Sequence, residues 1–71
     1  MIELSKIDRE LAFKIKTQIS LIWNAERVMN LYLEKKEKFL EYIEERKMVI
    51  REILHMDHGE IFENGKKIFE F

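Results

Sequence analysis

The 71-residue chain contains no cysteine and no proline, and its only glycines are Gly59 and Gly65. Without cysteine the chain can form neither a disulfide nor a thiolate metal site. Without proline or glycine, nothing before His58 forces a break in a helix. Small domains that lack such cross-links usually gain stability from a partner subunit, so the composition favours self-association.

The chain also lacks an excess of charge of one sign and any long hydrophobic run. Its 13 basic and 14 acidic residues are mixed along the sequence, and the net charge is −1. No basic block attracts phosphates, so nucleic acid is not an expected partner. The N-terminus has no apolar signal-peptide core and no segment is suited to span a membrane, which together with the absence of cysteine predicts a cytoplasmic protein.

Helix start and stop signals frame the chain from residue 5 to residue 58. Ser5 is suited to be an N-cap, and the carboxylate of Asp8 can face the free amides of the first turn. Gly59 fits the left-handed position that follows a helix, and His55 and His58 lie in the expected last turn. The sequence therefore predicts a helical region over 5–58.

Whether this region is one helix or two depends on two asparagines. Residues 31–56 contain no Ser, Thr, Asn, Asp, Gly or Pro, which predicts unbroken helix there. A break at Asn24 or Asn30 would instead give a helical hairpin, but the apolar residues beside Asn30 are unusual for a loop. The pattern favours a long continuous helix and leaves the hairpin as the alternative.

Apolar residues recur at alternating spacings of three and four along the whole region, which is the pattern of a coiled coil. We therefore predict a homo-oligomeric helical bundle, a dimer or larger, whose apolar seam forms the oligomer core. Its predicted members are Leu11, Ile15, Ile22, Met29, Tyr32, Phe39, Ile43, Ile50 and Ile53.

The last residues, 60–71, predict a β-hairpin after the helices. Asn64-Gly65 is the preferred pair for a type I′ turn, in which both residues have positive φ. Simple pairing across the turn places Glu63 opposite Lys66 and Ile61 opposite Ile68. An isolated hairpin is marginal in water, so this one must dock on helices or on another copy. Its predicted docking residues are Ile61, Phe62, Asn64, Gly65, Ile68, Phe69 and Phe71.

Glu52, His55 and His58 could provide ligands for a metal. Glu-x-x-His is the spacing of carboxylate-bridged metal sites in helical bundles, and Glu26 of another subunit could add a ligand. The position of the histidines at a helix end already explains them without a metal. A metal-binding bundle is therefore an alternative function, and no metal or other cofactor is predicted.

Arg51 and His58 are separated by six residues, which resembles the loose Arg-x(4–6)-His pattern of HEPN-type ribonucleases. The resemblance covers these two residues only and implies a ribonuclease. Glu52 departs from it, because Asn, Asp or His often follows the arginine in that pattern.

The sequence shows no other catalytic arrangement and no glycine-rich phosphate loop. It predicts a mainly α, non-enzymatic, homo-oligomeric protein-protein interaction module that acts as an adaptor, inhibitor or regulator of an unidentified protein. A small nucleic-acid-binding regulator is a further alternative, since oligomerisation could concentrate Arg46, Lys47 and Arg51.

Overall fold

A computed structural model describes all residues, 1–71, as two helices and a small sheet. The helices, α1 and α2, are joined by a short loop and pack against each other. Strand β1 precedes them, and strands β2 and β3 follow them. The bounds are β1 Ile2–Glu3, α1 Arg9–Met29, α2 Lys36–Leu54, β2 Glu60–Glu63 and β3 Lys66–Glu70, with short 3-10 turns at Leu4–Lys6 and Leu33–Lys35.

The first helix begins later than the sequence predicts. The N-cap is Asp8, whose Oδ2 accepts a hydrogen bond from the backbone N–H of Leu11 at 3.2 Å. Ser5 lies in a 3-10 turn and is not the cap of α1. The prediction of Ser5 as the N-cap is wrong because Ile2 and Glu3 pair with the sheet and draw the preceding segment away from the helix.

The prediction of one continuous helix is also wrong, and the alternative, a break near Asn30, is confirmed. Helix α1 ends at Met29 with Asn30 as its C-cap, and α2 begins at Lys36. Asn24 lies inside α1 and opens no turn. The chain turns through apolar residues because folding back lets one helix bury the apolar face of the other, which a single long helix without a partner cannot do.

At the end of α2, the residue in the left-handed conformation is not the predicted Gly59. His55 has φ 54° and ψ 43°, and its N–H donates to the carbonyl of Arg51. The predicted terminator, Gly59, instead makes two backbone hydrogen bonds with Phe71. A Cβ at Gly59 would lie 3.0 Å from the side chains of Met56 and Phe71, so close packing explains this glycine.

The C-terminal hairpin and its turn are confirmed, with Asn64 at φ 53° and Gly65 at φ 80°. The pairing of Glu63 with Lys66 is also confirmed, but Ile61 lies opposite Phe69 rather than Ile68. A bulge leaves Ile68 as the extra residue of β3. The one-residue shift brings Phe69 to the buried face with Ile61, which the simple pairing would not do.

A third strand, β1, pairs parallel to β2, and the sheet order is β1-β2-β3. The carboxylate of Glu3 fixes this arrangement, because it accepts hydrogen bonds from the Ser5 hydroxyl and from the backbone N–H groups of Ser5, Asn64 and Gly65 at 2.7–3.0 Å. These bonds, chiefly that from the Ser5 hydroxyl, lower the pKa of Glu3 from 4.5 to about 2. One side chain therefore joins the start of the chain to the hairpin turn.

The core lies where the sheet packs on the helices. Its fully enclosed members are isoleucines of α1, α2 and β2: Ile15, Ile19, Ile22, Ile50 and Ile61. Phe69 and Phe71 complete it from the hairpin. The hairpin thus docks on its own chain's helices. The predicted seam residues Ile15, Ile22, Ile43 and Ile50 are buried inside one chain, whereas Tyr32 is exposed.

Candidate protein-interaction surface

The sheet covers only the half of the helical hairpin that lies away from its loop. Lys16, in the first half of α1, forms an ion pair with Glu63 at 2.7 Å. Lys47, in the second half of α2, lies 5.9 Å from the ring centroid of Phe69. The five-residue β3 and the shorter β1 and β2 cannot extend along helices of 21 and 19 residues. The half of the hairpin near its loop is therefore left uncovered.

Large apolar side chains are concentrated in this uncovered half. Seven of the ten exposed large hydrophobic residues fall between positions 21 and 42. They are Leu21, Trp23, Leu31, Tyr32, Leu33, Leu40 and Tyr42. Contiguous exposed apolar side chains mark interaction sites, and two of these residues, Leu21 and Tyr42, line a common groove, so this region is the first candidate for a binding surface.

A groove between the two helices forms the centre of this region. We call it the helical groove; it has a volume of about 350 Å³ and is lined by Leu21, Asn24, Ala25, Val28, Lys35, Lys38, Phe39 and Tyr42. A shallow depression beside α1 shares Leu21 and Asn24 with the groove and continues to Phe13, which is 71% exposed. Apolar side chains thus recur along α1 from Phe13 to Val28, over about four turns, with Lys16, Thr17 and Ser20 between them.

The charged side chains at the helical groove are all basic. Lys35 and Lys38 line it, no carboxylate does, and neither lysine takes part in an ion pair within the chain. Arg46 lies 5.4 Å from the ring centroid of Tyr42, a cation-π contact that supports one wall of the groove.

Arg46 also contacts a polar residue of α1, Gln18. Its Nη1 donates to Oε1 of Gln18 at 3.4 Å, so these two side chains face each other between the helices. The Nε of Arg46 is buried and has no hydrogen-bond partner. This contact joins the side chains of position 18 in α1 and position 46 in α2.

The residues considered for metal binding are not brought together. Glu26 lies in the last turn of α1, next to the loop, whereas Glu52 and His55 lie at the far end of α2. His58 lies in the segment between α2 and β2. The structure contains no group of three or more His, Asp or Glu side chains that could hold a metal ion.

Arg51 holds the segment that follows α2. Its Nη1 forms an ion pair with Glu44 at 2.7 Å, and its Nε donates to the carbonyl of Asp57 at 2.9 Å. The bond from Arg51 lowers the pKa of Glu44. Both contacts connect Arg51 to the chain itself, and His58 lies exposed beyond them.

The predicted docking residues of the hairpin divide into two groups. Ile61, Phe69 and Phe71 are buried against the helices, and Phe62 and Ile68 are half-buried. Asn64 and Gly65 form the exposed turn. The hairpin therefore uses its best apolar residues inside its own chain. Leu21, Val28 and Tyr42 lie beside the predicted seam, whereas Phe39, a predicted seam residue, also lines the helical groove.

Neither helix has a stretch long and apolar enough to cross a lipid bilayer. Comparisons of this chain with protein-family models, with curated proteins and with solved structures found no match.

Proposed function

We propose that this chain is a non-enzymatic protein-protein interaction module and that the helical groove is its binding surface. The observation that carries the proposal is that exposed large side chains, Leu21 and Tyr42, line an apolar groove on the uncovered half of the helical hairpin. An amphipathic helix placed in such a groove would bury its apolar face against Leu21, Phe39 and Tyr42.

The side chains at the groove suit this role. Tryptophan, tyrosine and arginine are enriched among the few residues that contribute most of the binding free energy at interfaces. Tyr42 is 38% exposed and is held against Arg46, so its ring is ordered before a partner binds. Lys35 and Lys38 would lie at the polar rim that surrounds such a contact.

The free edge of the sheet is a weaker candidate for binding. Strand β3 is the longer edge strand, and an added strand could pair with it. It carries Lys66 and Lys67 and has its bulge at Ile68, and both features oppose edge pairing. These features favour the helical groove over the hairpin as the place where a partner binds.

Site-specific photo-crosslinking tests the proposal. A photoreactive phenylalanine analogue is placed at Tyr42 in the groove or, as a matched control, at Lys66 on the sheet edge, and the full chain is irradiated in its native cells. We expect covalent adducts with protein, either a second copy or another chain, at position 42 and few at position 66. Adducts at position 66 alone, or at neither position, would overturn the proposal.

A Leu21→Lys variant that carries the same photoreactive group at position 42 tests whether the adducts depend on the helical groove. Leu21 is 37% exposed, so the substitution leaves the core intact and places a charge in the groove. Adducts that depend on the groove should fall at least several-fold. Unchanged adducts would show random collision at an apolar surface and would count against the proposal.

A further inference from the structure

The carboxylate of Glu3 binds two consecutive backbone N–H groups in the turn of the hairpin. The N–H of Asn64 donates to its Oε2 at 2.9 Å, and the N–H of Gly65 donates to its Oε1 at 2.8 Å. Consecutive N–H groups of a turn form a concave site for an anion, and here the anion is supplied by β1 of the same chain. We call this arrangement the Glu3 clamp.

The Glu3 clamp fixes one backbone torsion angle of the turn. The position of the Gly65 nitrogen relative to the Asn64 nitrogen is set by ψ of Asn64, the rotation about its Cα–C bond. When both nitrogens are bound to the two oxygens of one carboxylate, this rotation is restrained. Asn64 has φ 53°, in the left-handed region, where the following nitrogen points away from the residue's own Cβ.

The clamped residues are also the reactive pair of asparagine deamidation. In this reaction the Gly65 nitrogen loses its proton and its electron pair forms a bond to Cγ of Asn64, while the Cγ–Nδ2 bond breaks and ammonia leaves with the proton. Water then opens the resulting five-membered ring at one of its two carbonyl carbons. Cleavage of the bond from Cγ to the nitrogen gives aspartate, and cleavage of the bond from the backbone carbonyl carbon to the nitrogen gives isoaspartate.

The sequence and the exposure of the turn both favour this reaction. Asn64 is the only one of the three asparagines that is followed by glycine, which has no side chain to shield its nitrogen. Both turn residues are exposed, and nothing lies within 4 Å of the position that a Cβ of Gly65 would take. Water therefore reaches the pair freely.

The Glu3 clamp opposes the reaction in two ways. Its anionic oxygen stabilises the N–H of Gly65 in the protonated form, and a carboxylate whose pKa is lowered to about 2 is too weak a base to remove that proton. The restrained ψ also keeps the Gly65 nitrogen from rotating toward Cγ of Asn64. The ring can close only after Glu3 has left the turn.

We propose that Asn64 is a modification site that the Glu3 clamp keeps unreacted, and that it converts to aspartate or isoaspartate when β1 leaves the sheet. Aspartate adds a negative charge to a residue whose N–H contacts Glu3, and like charges repel. Isoaspartate adds its Cβ to the main chain, so the two N–H groups no longer match the carboxylate. Either product makes a transient release of β1 permanent.

Mass spectrometry of the full chain, with peptide mapping of Asn64, tests the proposal. Wild type, Glu3→Gln and Ile68→Ala are incubated folded in mildly alkaline buffer, and the wild type also unfolded in guanidinium chloride. We expect conversion in the folded wild type to be several-fold slower than in the unfolded chain. Glu3→Gln, whose amide has only one oxygen to accept the two bonds, should approach the unfolded rate.

Ile68→Ala is the control for general loss of stability, because Ile68 is half-buried in the same hairpin and makes no part of the clamp. Circular dichroism checks that each variant is folded, and Ile68→Ala should react at nearly the wild-type rate. Equal acceleration by both variants, or none by Glu3→Gln, would overturn the role of the clamp. A lack of conversion at Asn64 even in the unfolded chain would overturn the site itself.

A separate measurement tests the consequence for β1. Asn64→Asp carries the charge of one product, and Asn64→Gly is a neutral control that also accepts positive φ. We expect amide hydrogen exchange of residues 2–5 at neutral pH to be several-fold faster in Asn64→Asp than in Asn64→Gly. Equal exchange in the two variants would overturn the release of β1 by the added charge.

Discussion

At the scale of single residues, Glu3 joins the start of the chain to the hairpin turn near its end. Its carboxylate accepts four hydrogen bonds, two from the turn of the hairpin and two from Ser5. No sequence pattern indicates this role, because Glu3 and Gly65 lie at opposite ends of the chain. The role depends on β1 being in place, which only the folded structure provides.

Glu3→Gln should lower the melting temperature at pH 7 and lose that effect in acid. The pKa of Glu3 is about 2 in the folded state, compared with its ordinary value of 4.5. The carboxylate therefore stabilises the fold fully above pH 4.5, and this contribution is lost as the pH falls toward 2.

Thermal melts from pH 7 to pH 2 would check this. The gap between wild type and Glu3→Gln should be widest at neutral pH and close in the acid range. Glu52→Gln, a change at an exposed carboxylate without an ion pair, is the control and should give no gap at any pH. A gap that stayed constant with pH would show that the charge of Glu3 is not what the turn requires.

Gly65→Val should destabilise the fold by roughly 1–2 kcal/mol through backbone strain alone. Gly65 has φ 80°, which a β-branched residue resists, yet nothing lies within 4 Å of the position where a Cβ would be. Gly65→Asn has a similar bulk and tolerates this conformation, so it should cost much less. Urea denaturation of both variants would measure the difference; equal losses would show that side-chain crowding and not φ is responsible.

At the scale of elements, the register of the hairpin decides which isoleucine is structural. The simple pairing made Ile61 and Ile68 equivalent neighbours on one face. The structure buries Ile61 completely and leaves Ile68 half-buried at the bulge. Ile61→Ala should therefore cost about 2–5 kcal/mol, and Ile68→Ala roughly half as much or less. Chemical denaturation would compare them, and equal costs would restore the unbulged pairing.

The same comparison shows what local sequence can predict. Asn64-Gly65 identified the turn because that pair has few alternatives when both residues need positive φ. The bulge is not visible locally, because it forms to bring Phe69 onto a core built by α1 and α2. The break after Met29 is hidden in the same way, since the seam pattern of Ile15, Ile22, Ile43 and Ile50 fits either two helices of one chain or a longer coiled coil.

At the scale of the whole molecule, the seam and the surface beside it have separate roles. Ile43 is 6% exposed and packs inside one chain, whereas its neighbour Tyr42 is 38% exposed and lines the helical groove. Adjacent positions on α2 thus face the core and the proposed binding surface respectively. Apolar periodicity predicts only part of the candidate surface, because Phe39 belongs to the seam whereas Leu21 and Tyr42 lie beside it.

The substitutions Ile43→Asp and Tyr42→Asp should therefore have different consequences. Ile43→Asp places an unpaired charge in the core and should unfold the chain, since a buried charge without a partner costs several kcal/mol. Tyr42→Asp should keep helix content and melt within a few degrees of the wild type, while any assembly through the helical groove should weaken. Circular dichroism and light scattering across a concentration series measure the two effects. The contrary outcome is an Ile43→Asp chain that stays folded while only its molecular mass in solution falls. The core assigned to one chain would then belong to an assembly, with helices packed between copies.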